Sequence, residues 1–194
     1  MVDILKRDST DKLEYKKDVF DCEGFALTLR DRLAKYGVRC AFVALEFPEE
    51  AGHALNAFET TDKGIIYIDE VGNDQIAYVE KGKPYGALCL DAVKADYIAC
   101  EGKPGDFWGE SVWKKHSNPF SYDFYQLYLQ RTEFYAQSVV AFNKAVGEFN
   151  SGSPLWAEAQ ISNWRDNLTA LKKDLGSCAT KQDKAVQNIE IYWN

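Results

Sequence analysis

Three side chains, in chain order, could do chemistry together. Cys22 lies in Asp21-Cys22-Glu23-Gly24-Phe25-Ala26-Leu27, His53 in Gly52-His53-Ala54-Leu55-Asn56, and Asp69 closes Ile65-Ile66-Tyr67-Ile68-Asp69. A thiolate, a base and a carboxylate that orients the base are the minimal parts of a cysteine nucleophile. A free thiol ionises near pH ~8.5, and a helix N-terminus or an imidazolium neighbour lowers that value. First-turn amides also face bound negative charge, so the Cys22 N–H is placed to help hold a tetrahedral oxyanion. Taken singly, each residue has a plainer reading. Cys22 sits on an apolar helix face, His53 is a strand histidine, and Asp69 is at a strand end where turn residues are common. Their joint pattern is what points to catalysis.

The elements that must position them are legible. Cys22, Phe25, Ala26, Leu29, Leu33 and Tyr36 recur at helical spacing, which predicts a helix over 22–36. Asp21 is its expected N-cap and Gly37 its stop. Val38–Phe47 is apolar on both faces, so it reads as a central strand covered on both sides. His53–Glu59 and Ile65–Asp69 read as a strand pair joined by Thr60-Thr61-Asp62-Lys63-Gly64. That loop length opposes Glu59 to Ile65 and Leu55 to Asp69. His53 and Asp69 then become diagonal neighbours on one face, roughly 7–8 Å apart. A one-residue change in the loop would separate them. Further strands are expected at Gln75–Glu80, Ala87–Val93 and Tyr97–Cys100, with a turn at Lys81-Gly82-Lys83-Pro84.

Beyond Pro104-Gly105-Asp106 the composition shifts. A Trp-rich stretch holding Trp108 and Trp113 leads into two helical stripes, about Tyr122–Phe149 and Pro154–Leu175. Ser153 is the expected N-cap of the second, Pro154 its first residue and Gly176 its stop. The short Asn150-Ser151-Gly152 link implies an antiparallel pair. Residues 186–193 alternate like a strand and could return to the N-terminal sheet. The expected organisation is a core over 1–104 and an aromatic-rich helical extension over 105–194.

Composition narrows the function. The 194 residues carry a net charge of −7, with the acid excess mostly in the first hundred, and no basic stripe suggests nucleic acid. No apolar run approaches the ~20 residues that span a bilayer. Phosphate-binding glycine loops are absent, so no cofactor is expected. Asp69-Glu70-Val71-Gly72-Asn73-Asp74 lacks the alternation of a calcium loop, and His116 has no matched partner, so no metal is expected either. Of the five cysteines, Cys40, Cys89, Cys100 and Cys178 remain once Cys22 is set aside. They are either small buried hydrophobes or two disulfides, with Cys89 and Cys100 able to face each other across a hairpin. The even remainder leans slightly toward an oxidising, extracytoplasmic setting, if an N-terminal leader has been removed.

The motifs around the three residues resemble the transglutaminase-like superfamily, whose members carry a D-C-x-x-[FY]-A helix start, a G-H-A-x-N strand and a Y-[IV]-D strand. The intervals of 31 positions from Cys22 to His53 and 16 from His53 to Asp69 suit that family. The likeness covers about residues 18–80 and is greatest to the bacterial and archaeal branch, including transglutaminase-like cysteine proteinases. It implies an α+β, papain-like core, an N-terminal helix packed on an antiparallel sheet, and a Cys22-His53-Asp69 triad. A peptidase or amidase acting on a peptide or protein substrate is the expected function. Protein cross-linking by acyl transfer is the alternative enzyme. A non-catalytic module binding peptide or glycan through the aromatic C-terminal half is the alternative of another class.

Overall fold

A computed structural model describes residues 2–90, 99–101, 112–114, 118–176 and 178–193. The readings placed on Trp108 and His116 lie outside the described residues, as do the side chains of Cys100 and Trp113. The fold is mixed α+β, built on an antiparallel sheet. The chain divides into two compact units, Met1–Val93 with Phe120–Tyr122 and Cys178–Asn194, and Lys94–Pro119 with Asp123–Ser177. A single boundary at 104/105 does not describe this division, because the chain returns to the first unit at Cys178.

In the first unit, a short helix α1 (Val2–Leu5) and a 3₁₀ turn (Thr10–Lys12) precede α2 (Cys22–Ala34). Asp21 caps α2 by accepting the Glu23 N–H at 3.1 Å. At the other end Gly37, with φ 70°, lets the Val38 N–H reach back to the Leu33 carbonyl at 3.1 Å. Phe25, Ala26, Leu29 and Leu33 form the buried stripe. Each large member contributes about 1.5–3 kcal/mol by leaving water.

The sheet comprises β1 (Ala41–Glu46), β2 (His53–Thr60), β3 (Gly64–Asp69), β4 (Gln75–Tyr78) and β5 (Pro84–Cys89), completed by β8 (Ala179–Ala185) and β9 (Asn188–Tyr192), in the order β8-β5-β4-β3-β2-β1-β9. All pairs are antiparallel. Following those directions around the sheet, β8 and β9 run the same way. They form one bent segment lying on both edges. At the bend, Val186 exchanges hydrogen bonds with Lys83 O and the Gly82 N–H, both at 2.9 Å, while the Gln187 N–H reaches Glu46 O at 2.8 Å. The sheet therefore curls until its edges meet at residues 186 and 187. Its interior is the apolar cluster of Ala41, Val43, Leu45, Leu55, Ala57, Ala77, Tyr85, Ala87 and Val186, joined by Phe47.

Helix α2 packs on the outer face, chiefly across β2 and less across β1. This corrects the expectation for Val38–Phe47. The strand is shorter, and only its Ala41–Val43–Leu45 face is fully buried; Phe42 and Ala44 are half-covered because α2 lies mainly over the neighbouring strand. Cysteine pairing differs too. Cys89 is bonded to Cys178, with Cα atoms 5.5 Å apart, rather than to Cys100. The strand opposite Cys89 comes from the far end of the sequence, which a hairpin argument cannot see.

In the second unit, β6 (Ala99–Glu101) pairs with β7 (Val112–Lys114), and α3 (Tyr122–Asn150) is followed by α4 (Glu158–Leu175). Contacts run in opposite chain senses along the two helices. Trp156 donates to Glu148 at 2.7 Å, the Phe142 and Trp164 rings meet edge-on at 5.6 Å, and Tyr128 donates to Leu175 O at 3.0 Å. α4 buries Ile161, Trp164, Leu168, Leu171 and Leu175 at the expected spacing. It begins later than Ser153-Pro154 suggests. Ser153 serves a turn instead, and the Gln160 side chain accepts the Ala157 N–H at 2.9 Å at the true start.

Candidate active site

Strand register sets the site. β2 and β3 pair Glu59 with Ile65, and Thr60 with Gly64, so His53 and Asp69 share the interior face at one rim of the curled sheet. His53 Nε2 lies 2.7 Å from Asp69 Oδ2. A carboxylate only accepts, so Nε2 carries the hydrogen and Nδ1 is left for a second partner. The Cys22 thiol lies close enough to the imidazole and to the Ala54 backbone that both lower its pKa. The N-terminus of α2 thus meets the first residue of β2.

Two close approaches hold this junction. Asn56, fully buried on the outer face of β2, donates to Ala26 O at 2.9 Å and to Ala41 O at 3.1 Å, pinning the second turn of α2 to two strands. Gly52 precedes His53 where a Cβ would sit 2.7 Å from Leu45 O, so only glycine lets the β1–β2 connection close as it does.

Asp69 is 4% exposed, and every oxygen is engaged. Oδ2 takes the His53 bond and the Tyr85 hydroxyl at 2.5 Å; Oδ1 accepts the Val71 N–H at 3.0 Å. Tyr85 also stands edge-on to the imidazole, with ring centres 5.3 Å apart. Burial alone would raise the Asp69 pKa, but the His53 bond and charge, with Tyr85 and Val71, hold it below the usual carboxylate range. His53 shows the complementary effect. Burial disfavours its charge, yet Asp69 and Cys22 outweigh that and push it up to about 10.

Among the described residues, the two free thiols are set apart by surroundings. Burial pushes the Cys40 thiol up to about 12. Cys22 is partly exposed; burial raises it as well, but the His53 bond, the Ala54 backbone and the imidazolium charge bring it below the ordinary thiol value. The arrangement favours a thiolate–imidazolium pair at Cys22 and leaves Cys40 inert.

Behind the imidazole lies a cavity of about 130 Å³ lined by His53, Asp69, Val71, Gln75, Tyr85, Thr180 and Gln182. Thr180 donates to Gln75 at 3.1 Å across it. A larger cavity of about 280 Å³ lies at the other end of α2, among Ile4, Arg7, Asp8, Leu33, Tyr36 and Val38, away from the thiol. Sequence reasoning missed Tyr85, Thr180 and Asn56. Asn56 had a signal, being the polar residue among Ala54 and Phe58 on a strand face that is otherwise apolar. Among the described residues, the group able to hold a metal is Asp11, Glu70 and Asp74, separate from the Cys22–His53 pair. Comparison with known protein families, with characterised proteins and with solved structures gives no match to this chain.

Proposed function

We propose that this protein is a cysteine-nucleophile hydrolase, a peptidase or amidase of transglutaminase-like type. The observation that carries the reading is the His53 Nε2–Asp69 Oδ2 bond at 2.7 Å, which leaves Nδ1 to serve a Cys22 thiol that the imidazole already draws below its ordinary pKa. Cys22 sulfur attacks the carbonyl carbon of an amide. The Cys22 N–H at the α2 terminus faces the developing oxyanion. His53, protonated by Cys22, delivers that proton to the leaving amine, and an acyl-thioester remains on sulfur. His53 then takes a proton from water as it attacks the thioester carbonyl, and Cys22 departs. Asp69 holds the ring orientation throughout, and Tyr85 holds Asp69. An amine in place of water would make the same site a transglutaminase. Hydrolysis is preferred because, among the described residues, none excludes water from the partly exposed Cys22 thiol.

The test is labelling with iodoacetamide near neutral pH, mapped by mass spectrometry. Rapid labelling at Cys22, at least tenfold faster than a free thiol and slowed by His53→Ala, is the expected result. Labelling at the free-thiol rate, or indifferent to His53→Ala, rejects the reading. Cys40 serves as the internal unreactive thiol. Turnover of amide against ester peptides, with and without a primary amine, then separates hydrolysis from transfer.

A further inference from the structure

Asp11, Glu70 and Asp74 bring carboxylate oxygens from two distant parts of the chain to within 4.8 Å of one another. Glu70 is 2% exposed, and no hydrogen-bond donor reaches either of its oxygens. Asp11 is 6% exposed; Lys12 occupies its Oδ2, and its Oδ1 is unpartnered, as is Asp74 Oδ1. A buried carboxylate without a donor is costly, and three together repel. We propose that Asp11, Glu70 and Asp74 bind a hard divalent cation of the calcium class, clamping the N-terminal segment to the turn that follows Asp69.

The donor set decides the class. Oxygen-only ligands suit calcium and magnesium rather than zinc or copper. Calcium–oxygen distances of about 2.4 Å place opposing ligands nearly 5 Å apart, whereas magnesium draws them to about 4 Å. Three carboxylates whose oxygens lie within 4.8 Å of one another fall inside the span that opposing ligands of a calcium ion occupy. The turn is suited to presenting both its acids inward. Gly72, at φ 81°, reverses the chain between Glu70 and Asp74, and the Asp74 carbonyl is tied down by the Leu90 N–H at 3.1 Å. Asp8 adds further negative potential to the cluster. Val71, between the ligands, gives its N–H to Asp69. An ion here would steady that donor.

The inference stands apart from the catalytic reading, and its test needs no turnover. Full-length protein, stripped of metal on a chelating resin, is titrated with calcium chloride and separately with magnesium chloride, followed by calorimetry and thermal melting. The expected result is saturable binding of one calcium, tighter than magnesium. At concentrations about a hundredfold above Kd, Tm should rise by about 5 °C or more. Glu70→Gln and Asp74→Asn should each weaken binding at least about tenfold, while Asp62→Asn at an exposed turn and Cys22→Ala should not. Absence of saturable binding overturns the proposal, as does a shift that survives in both Glu70→Gln and Asp74→Asn. A metal-free Tm that rises in Glu70→Gln while the parent ignores both cations identifies a proton shared by two acids, and equally overturns it.

Discussion

The Tyr85 hydroxyl and the His53 Nε2 converge on one oxygen, Asp69 Oδ2, at 2.5 and 2.7 Å. Asp69 is thereby held on the side facing the imidazole, and Val71 fixes the other oxygen. Hydrogen bonds to a charged group are worth about 1.5–3 kcal/mol. Tyr85→Phe should slow Cys22 alkylation by about tenfold. Asp69→Asn, which removes the charge and disturbs the tautomer, should slow it by about a hundredfold or more. Pseudo-first-order labelling rates check both. Equal, negligible effects would show that the imidazole orients itself.

The pH dependence follows from two shifts of opposite direction. Cys22 ionises below the ordinary thiol value, and His53 keeps its proton up to about 10. Alkylation should therefore rise as Cys22 deprotonates, whereas amide turnover, which also needs the imidazolium proton, should fall as pH passes about 10. His53→Ala should move the acid limb upward toward the free-thiol value. Stability carries matching signs. The His53 contribution is complete below its unfolded value of about 6.5 and lost as pH rises through about 10. The Cys22 contribution is present above the unfolded thiol value and lost as pH falls through its lowered folded one. Labelling rates, peptide turnover and melts between pH 5 and 11, on the order of one-unit steps, resolve these limbs.

Asn56 offers a way to separate positioning from folding. Asn56→Leu removes donors from Ala26 O and Ala41 O, which are left without those bonds. A loss of about 1–3 kcal/mol in stability is expected. Because Ala26 lies one turn beyond Cys22, labelling of the folded fraction should also slow. Retained labelling speed in a destabilised protein would restrict Asn56 to a structural role.

The Cys89–Cys178 bond closes a loop of 89 positions and joins the strand pair β5–β8 near its end. Replacing both residues with serine should cost about 2–5 kcal/mol. Melts with and without reductant measure it. A parent protein indifferent to reductant would count against the bond's contribution.

Local grammar carried the site, whereas distant pairing escaped it. The Thr60–Gly64 connection fixed parity, and parity put His53 beside Asp69; the Asp21 cap and the Gly37 stop bounded α2. β8 was illegible because Ala-Thr-Lys-Gln-Asp-Lys-Ala is largely exposed and has no apolar alternation; backbone pairing with β5 makes it a strand. Its partnership with β5 concealed the cysteine pairing as well. Tyr85 was hidden for another reason. A tyrosine in an apolar strand signals core, and only the three-dimensional rim turns its hydroxyl toward Asp69. The third member of the acidic cluster, Asp11, lies 59 positions before Glu70 and could not be joined to it by pattern.

The bent segment 179–192 has a consequence for synthesis on the ribosome. It supplies both edges of the curled sheet, and its Thr180 and Gln182 line the cavity behind His53. Those residues are translated after every other strand of the unit. Until they emerge, β1 and β5 remain unpaired on their outer sides, and the wall behind the imidazole is missing. A growing chain consequently carries the thiol, base and carboxylate long before the sheet that holds them can close.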